Sequence, residues 1–338
     1  MITPRHAAAA VKGAEAFRSA RASRSIRLRH LPVAAVVAIL AAACATPDMR
    51  AGRFEPVRVA ADVYALLGSG GEIAPDNDGR TANVAFIVGS RGVVVVNTGS
   101  SYREGEAIIA AVQSVSTLPV LLAILTHPGP EAIFGAAAFQ DRGIPVLTHR
   151  SSAELIAARC ETCLANLRAA LGTERMAGTR VVEPDRLIAG EVTLDLIGRR
   201  LRLIVPPRSS APGALAVFDE TTATLIAGSL VSIHRVPDLR DANPEAWRAA
   251  LAEIEATQCR HLIPGYGPIG SCADVAAFEQ YFAALESRVG ALLKEGVSLA
   301  ELRARCDLPQ FARWDQYQTL HPQNANRTYL RLERSLFE

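Results

Sequence analysis

The chain has 338 residues, of which 49% are hydrophobic and 21% charged, with a formal net charge of +2. That composition excludes an intrinsically disordered chain, and the near-neutral balance excludes a strong field steering it onto nucleic acid. The length suits one large domain or two modest ones.

The first 30 residues carry Arg, Lys and His but a single acid, Glu15, and are followed by the apolar run LPVAAVVAILAAAC from Leu31 to Cys44. A basic stretch, a short apolar core and small residues before a cysteine suit an export signal; the run is too short to span a bilayer. Ala41-Ala42-Ala43-Cys44 resembles a bacterial lipobox, which implies cleavage there and lipidation of Cys44. Residues 1–44 are therefore expected to be a signal peptide and 45–56 a tether, placing the chain in the periplasm with a lipid anchor in the membrane. Export leaves Cys160, Cys163, Cys259, Cys272 and Cys306 in an oxidising compartment. Cys160 and Cys163 lie within one predicted helix, as a buried apolar pair or a local disulfide. Cys259 and Cys272 flank the PGYGP loop and are a candidate bridge that would pin it.

Two short strand-like runs broken by Gly, Pro, Asn and Asp come first, then ANVAFIVGSRGVVVVNTGS, two strands joined by a tight Ser-Arg-Gly turn. The four valines Val93 to Val96 suit a strand buried on both faces. A helix follows in EGEAIIAAVQSV, a strand in VLLAIL, and then the loop LTHPGPEAIFGA. The spacing of Leu155, Ile156, Cys160, Leu164, Leu167 and Leu171 predicts a helix from Ser152, as cap, to a stop at Gly172. Strands return in LRLIV and in the hairpin-like ALAVFDETTATLIAG. Asn243-Pro244-Glu245 is a helix start with Trp247, Leu251 and Ile254 inward. A further helix is expected from Val275 to Leu293, and a helical tail beyond. This alternation argues for an α/β layered fold, 57–295, with a C-terminal helical tail, 296–338.

Five ordered blocks carry a family resemblance. NVAFIVGSRGVVVVNTG, ILTHPGPEAIFGAAAF, SAPGALAVF, LIAGSLV and IPGYGPIG resemble the strand ends and loops of metallo-β-lactamase-fold hydrolases. The resemblance implies an αββα four-layer sandwich. The CETC stretch and the NANRTYLRLERSLFE tail look like the quinoprotein relay system zinc metallohydrolases, which implies a link to periplasmic quinoprotein alcohol oxidation. The family's dinuclear zinc would fall on positions that here hold His127, Gly129, Glu131, Ala132, Ser210, Ser229 and Tyr266, with Asn97 at the usual strand-end aspartate. A catalytic zinc needs about three protein ligands plus an open position. Gly129 and Ala132 have no donor, the two serine hydroxyls are poor ligands, and a phenol titrates near 10. Only His127 and Glu131 remain, so no zinc or other cofactor is expected and no catalytic residue is assigned.

The expected protein is thus a non-catalytic binding or accessory protein whose partner is an unknown small ligand or periplasmic protein. The alternative is a hydrolase with a rebuilt mononuclear site, or a metal-free one around His127, Glu131, Ser229 and Tyr266. His127 is expected to be hydrogen-bonded in the pocket and Glu131 to sit in a first helical turn. His149 is expected to be structural and His234 to lie in a surface loop. Whether the cleft is open or filled turns on side chains such as Tyr266 and Phe134.

Overall fold

The computed structural model describes residues 55–336. The expected signal segment, Cys44 and all of the tether up to residue 54 lie outside the described residues.

Two sheets form the centre. The first takes β1 (Val57–Ala60), β2 (Val63–Leu66), β3 (Val84–Val88), β4 (Val93–Val96), β5 (Val120–Ile124), β6 (Val146–His149) and β7 (Arg186–Ile188) in sequence order. It is antiparallel as far as β4 and parallel from β4 to β7. The second runs β12-β11-β10-β9-β8, with β8 (Val192–Leu194), β9 (Leu201–Ile204), β10 (Ala216–Asp219), β11 (Thr224–Ser232) and β12 (His261–Tyr266). Only β11 and β12 are parallel in it.

The valine run shows how one strand serves two cores. All four valines are fully buried. Because side chains alternate across a strand, Val94 and Val96 face the second sheet, against Leu203, Val217 and Ile226. Val93 and Val95 face the other way, into a core shared with α1 (Tyr102–Val115), α3 (Ala136–Gln140) and α4 (Arg150–Leu171). Each buried valine contributes roughly 1.5–3 kcal/mol on either side, so neither layer tolerates a polar residue there.

The outer face of the second sheet is covered by α5 (Pro244–Ala256), α6 (Val275–Lys294), α7 (Leu299–Arg305) and α8 (Tyr317–Ser335). Asn243 caps α5 by accepting from the Ala246 amide, with Pro244 at the first turn. Trp247 then buries its ring edge-on against Phe278 and Phe282 and donates its Nε1–H to the Leu230 carbonyl at 2.9 Å. The order of layers is helices, sheet, sheet, helices: the αββα sandwich. The C-terminal stretch shares this outer core, with Val297, Leu302, Phe311, Tyr317 and Tyr329 buried among the residues of α5 and α6.

One local expectation is corrected. α4 starts at Arg150, not after Ser152: the imidazole of His149 accepts from the Ser151 amide at 3.1 Å and is the cap. Ser152 instead donates to the carbonyls of Pro212 and Gly213. Cys160 and Cys163 form no local bridge: both carry free thiols, Cys160 buried and Cys163 half-buried, and Cys306 is free and buried as well.

Cys259 and Cys272 are joined and span 13 positions. They bracket β12 and the turn after it, which Leu262 and Gly270 also close through paired backbone bonds of 2.7 and 2.9 Å. Closing a loop of that size is worth about 3 kcal/mol in the chain-entropy account. Replacing both cysteines by serine is expected to cost about 2–3 kcal/mol in urea unfolding; an unchanged midpoint would show that the backbone pairs alone hold this turn.

Candidate functional site

The carboxyl ends of β4, β5, β11 and β12 converge, the place where open α/β sheets hold their ligands. Asn97 follows β4 in the left-handed region, φ +67°, which asparagine tolerates. That turn directs its Oδ1 to the amide of Thr126 at 3.0 Å and to the Thr126 hydroxyl at 2.9 Å. Thr126 and His127 follow β5, and the Thr126 hydroxyl also lies 2.9 Å from His127 Nδ1. The other imidazole nitrogen, Nε2, is 2.8 Å from Glu131 Oε1. Glu131 sits in the first turn of the short helix α2 (Pro130–Ile133). The same oxygen accepts from the Tyr266 hydroxyl at 2.6 Å, at the end of β12. A continuous chain therefore runs Asn97, Thr126, His127, Glu131, Tyr266.

The chain continues through groups that no motif marks. The Arg235 guanidinium stacks 4.2 Å above the Tyr266 ring. It donates to the Gly71 carbonyl at 3.0 Å and pairs with Asp315, which lies just before α8. Asp315 also accepts from the Gly71 amide at 2.9 Å. Asn83 ties the same mouth from behind: its Oδ1 accepts from Gly68, and its amide donates to Pro264 and Gly267, each at 2.9 Å.

Burial raises the Glu131 carboxyl, but the hydrogen bond and charge of His127, with the Tyr266 hydroxyl, overcome it and hold the group down to about 2. Tyr266 is pushed well above the usual phenol range by burial first and then by the Glu131 charge, against the opposing Arg235. An anionic carboxylate thus accepts two hydrogen bonds, and the phenol keeps its proton.

This geometry does not fit the zinc that the fold implies. Two ligands on one tetrahedral zinc sit about 3.3 Å apart, from bonds near 2.05 Å. His127 Nε2 and Glu131 Oε1 are at hydrogen-bond separation, 2.8 Å. A β-carbon at position 129 would lie 2.3 Å from Glu131 Oε1 and 2.5 Å from His127 Nε2, so the pair occupies the room of any ligand side chain there. Tyr266 would have to lose a proton that its surroundings hold firmly. Among the described residues no group of three His, Cys, Asp or Glu converges on one point.

The remaining candidates separate. Ser210 and Ser229 bond to each other at 2.8 Å. No contact joins His127 to Ser229, and both imidazole nitrogens are engaged elsewhere. Ala132 is buried and serves through its carbonyl, which accepts from the amide and hydroxyl of Thr98. Phe134 is fully buried in the helix-side core. His149 is used as the α4 cap, and His234 is exposed with φ +55°. Gly228 is required where it stands: a β-carbon there would meet Thr126 Oγ1 at 2.3 Å and push β11 off the site.

The solved structures most like this one include the metallo-beta-lactamase from Pontibacter korlensis, with a TM-score of 0.56 and 18% identity over 68% of this chain and 98% of that one. The sec-alkylsulfatase Pisa1 from Pseudomonas sp. superposes with a TM-score of 0.64 at 18% identity, over 82% of this chain and 50% of that one. A curated relative, a linear primary-alkylsulfatase of Pseudomonas sp. (strain ATCC 19151), is 21% identical over 215 residues. That match takes 54% of this chain but only 40% of the sulfatase's length. The family model for the metallo-beta-lactamase superfamily matches residues 77–265, a stretch that includes Asn97, His127, Glu131, Ser210 and Ser229, and the chain belongs to that superfamily.

Proposed function

We propose that this chain is a non-catalytic member of the superfamily, an exported binding or accessory protein that takes no zinc. The observation that carries the reading is the Glu131 carboxylate bridging His127 and Tyr266 at 2.8 and 2.6 Å. A hydrogen-bonded carboxylate stands where the family's chemistry needs a metal and its activated water. Without such an ion, bound water is not acidified toward pH 7. The basic, apolar, small-residue leader ending at Cys44 supports export and a lipid anchor. The CETC stretch and the C-terminal tail support a place beside periplasmic quinoprotein alcohol oxidation, with a small ligand or another periplasmic protein as partner.

The second reading is a hydrolase with a rebuilt or metal-free site, for which a sulfate ester is the substrate class that two relatives' names suggest. The Tyr266–Glu131 contact has the length of an acid–base pair. A carboxylate held near 2 is a weak base at neutral pH, and Thr126, the hydroxyl beside His127, is fully buried. Both facts favour the first reading.

Elemental analysis of the purified chain after dialysis against limiting zinc tests it. The expected zinc content is below about a tenth of an equivalent, since two donors cannot make a site. Zinc or iron near one equivalent, lost in Glu131→Gln, would overturn the proposal and turn attention to the hydrolase.

A further inference from the structure

A cavity of about 90 Å³ lies between α7 and α8 and shares no residue with the strand-end site. Room for one water takes roughly 10–15 Å³, so it holds a molecule of about six to nine heavy atoms. Its buried wall is neutral. The rings of Tyr317 and His321 stack at 4.5 Å. Both nitrogens of His321 are engaged, Nε2 with the Cys306 carbonyl at 2.7 Å and Nδ1 with the Tyr281 hydroxyl at 3.0 Å.

The rim is charged and unspent. Arg303 and Asp307 both line the cavity and are exposed, and among the described residues neither makes a side-chain ion pair or hydrogen bond. Their neighbour Arg305, by contrast, is paired with Glu295 at 2.8 Å. Arg303 is in the last turn of α7 and Asp307 lies just past its end, where the chain has left the helix, so the two charges stand at one opening without pairing. Pro322 is inside α8 and has no N–H, so the carbonyl of Gln318 lacks its usual helical donor, and both residues line the cavity. A ligand with one negative and one positive end would satisfy all three groups and leave the neutral wall undisturbed.

We propose that this cavity binds a small zwitterion, an amino carboxylate, with its carboxylate on Arg303 and its ammonium on Asp307 and the Gln318 carbonyl. Titration calorimetry of the full chain with L-alanine, propionate and ethylamine as probes tests it. L-alanine is expected to bind saturably at millimolar concentrations, and each single-charge probe about tenfold or more weakly. Arg303→Gln and Asp307→Asn, both at exposed positions, are each expected to weaken L-alanine about tenfold while leaving the unfolding midpoint in place. Absence of saturable L-alanine binding would overturn the proposal. So would propionate or ethylamine binding as tightly as L-alanine, or both variants binding as the wild type does.

Discussion

Below pH 4.5 the wild-type chain is expected to lose about 3 kcal/mol of stability that a Glu131→Gln variant does not lose, measured by urea unfolding at a series of pH values. The Glu131 carboxyl is held at about 2 in the folded chain against 4.5 when free. A depressed acid stabilises the fold fully above its unfolded value, and the contribution disappears as pH falls through the folded value. At about 1.4 kcal/mol per pH unit, the interval between 4.5 and 2 corresponds to about 3 kcal/mol. The side chains of His127 and Glu131 are 7% and 12% exposed, so solvent screens the pair little. Glu104 acts in a separate window. Burial raises it to about 7, against its bonds to Ser100 and the Arg80 charge. A raised acid stabilises fully below its unfolded value and stops doing so as pH rises through the folded one, so the Glu104 contribution is complete below pH 4.5 and is lost between 4.5 and 7. The two windows meet near 4.5, and Glu104→Gln is the control that removes only the upper one. Parallel wild-type and Glu131→Gln curves below pH 4.5 would show that the carboxylate is not held as described.

The layers were legible because they rest on local periodicity. The valine run announced a strand between two cores, Asn243-Pro244-Glu245 announced α5, and the apolar spacing of residues 155 to 171 announced α4. The α4 cap was misread because Ser152 is an ordinary cap residue, whereas histidine serves only when a loop turns its ring back, as it does at His149. The ordered blocks place Asn97, His127, Glu131 and Tyr266 at strand ends and loops that the fold brings together. The contacts that join them were not legible. Glu131 reads as a first-turn acid favoured by the helix dipole, and it does occupy that turn. Its contact with Tyr266, 135 positions away, has no local signature. Arg235 and Asp315 are further still from any motif, since a stacked guanidinium and its carboxylate partner are created by tertiary packing alone. The tail that reads as an appendage supplies Asp315 to the mouth of the site, so its function is partly architectural.

Asn83→Ala is expected to cost about 3 kcal/mol, more than any other single polar change at the mouth except loss of Glu131 itself. The residue is 3% exposed and stands one position before β3, where no motif marks it. Its amide is the only side chain among the described residues that bonds both Pro264 and Gly267, the two residues that frame the Tyr266 turn. Its Oδ1 meanwhile holds Gly68, at the start of the loop that leads to Gly71 and hence to Arg235 and Asp315. Alanine leaves three backbone groups without these partners, in a place where water reaches them poorly. A buried polar group left unsatisfied costs roughly 1–3 kcal/mol; repacking of the freed loop returns part of the sum. Aspartate at this position keeps the acceptor for Gly68 but sets a charge against two carbonyls, so Asn83→Asp is expected to be no better than alanine at neutral pH. Urea unfolding gives the stability loss, and the ring signals of Tyr266 in a nuclear magnetic resonance spectrum give its local consequence. Loss of the turn should let the Tyr266 ring leave Arg235 and move its resonances toward free-tyrosine values. Full stability with unmoved Tyr266 resonances would mean that the Cys259–Cys272 bridge and the Arg235 stack hold the turn without help, and that Asn83 only fills space beneath it.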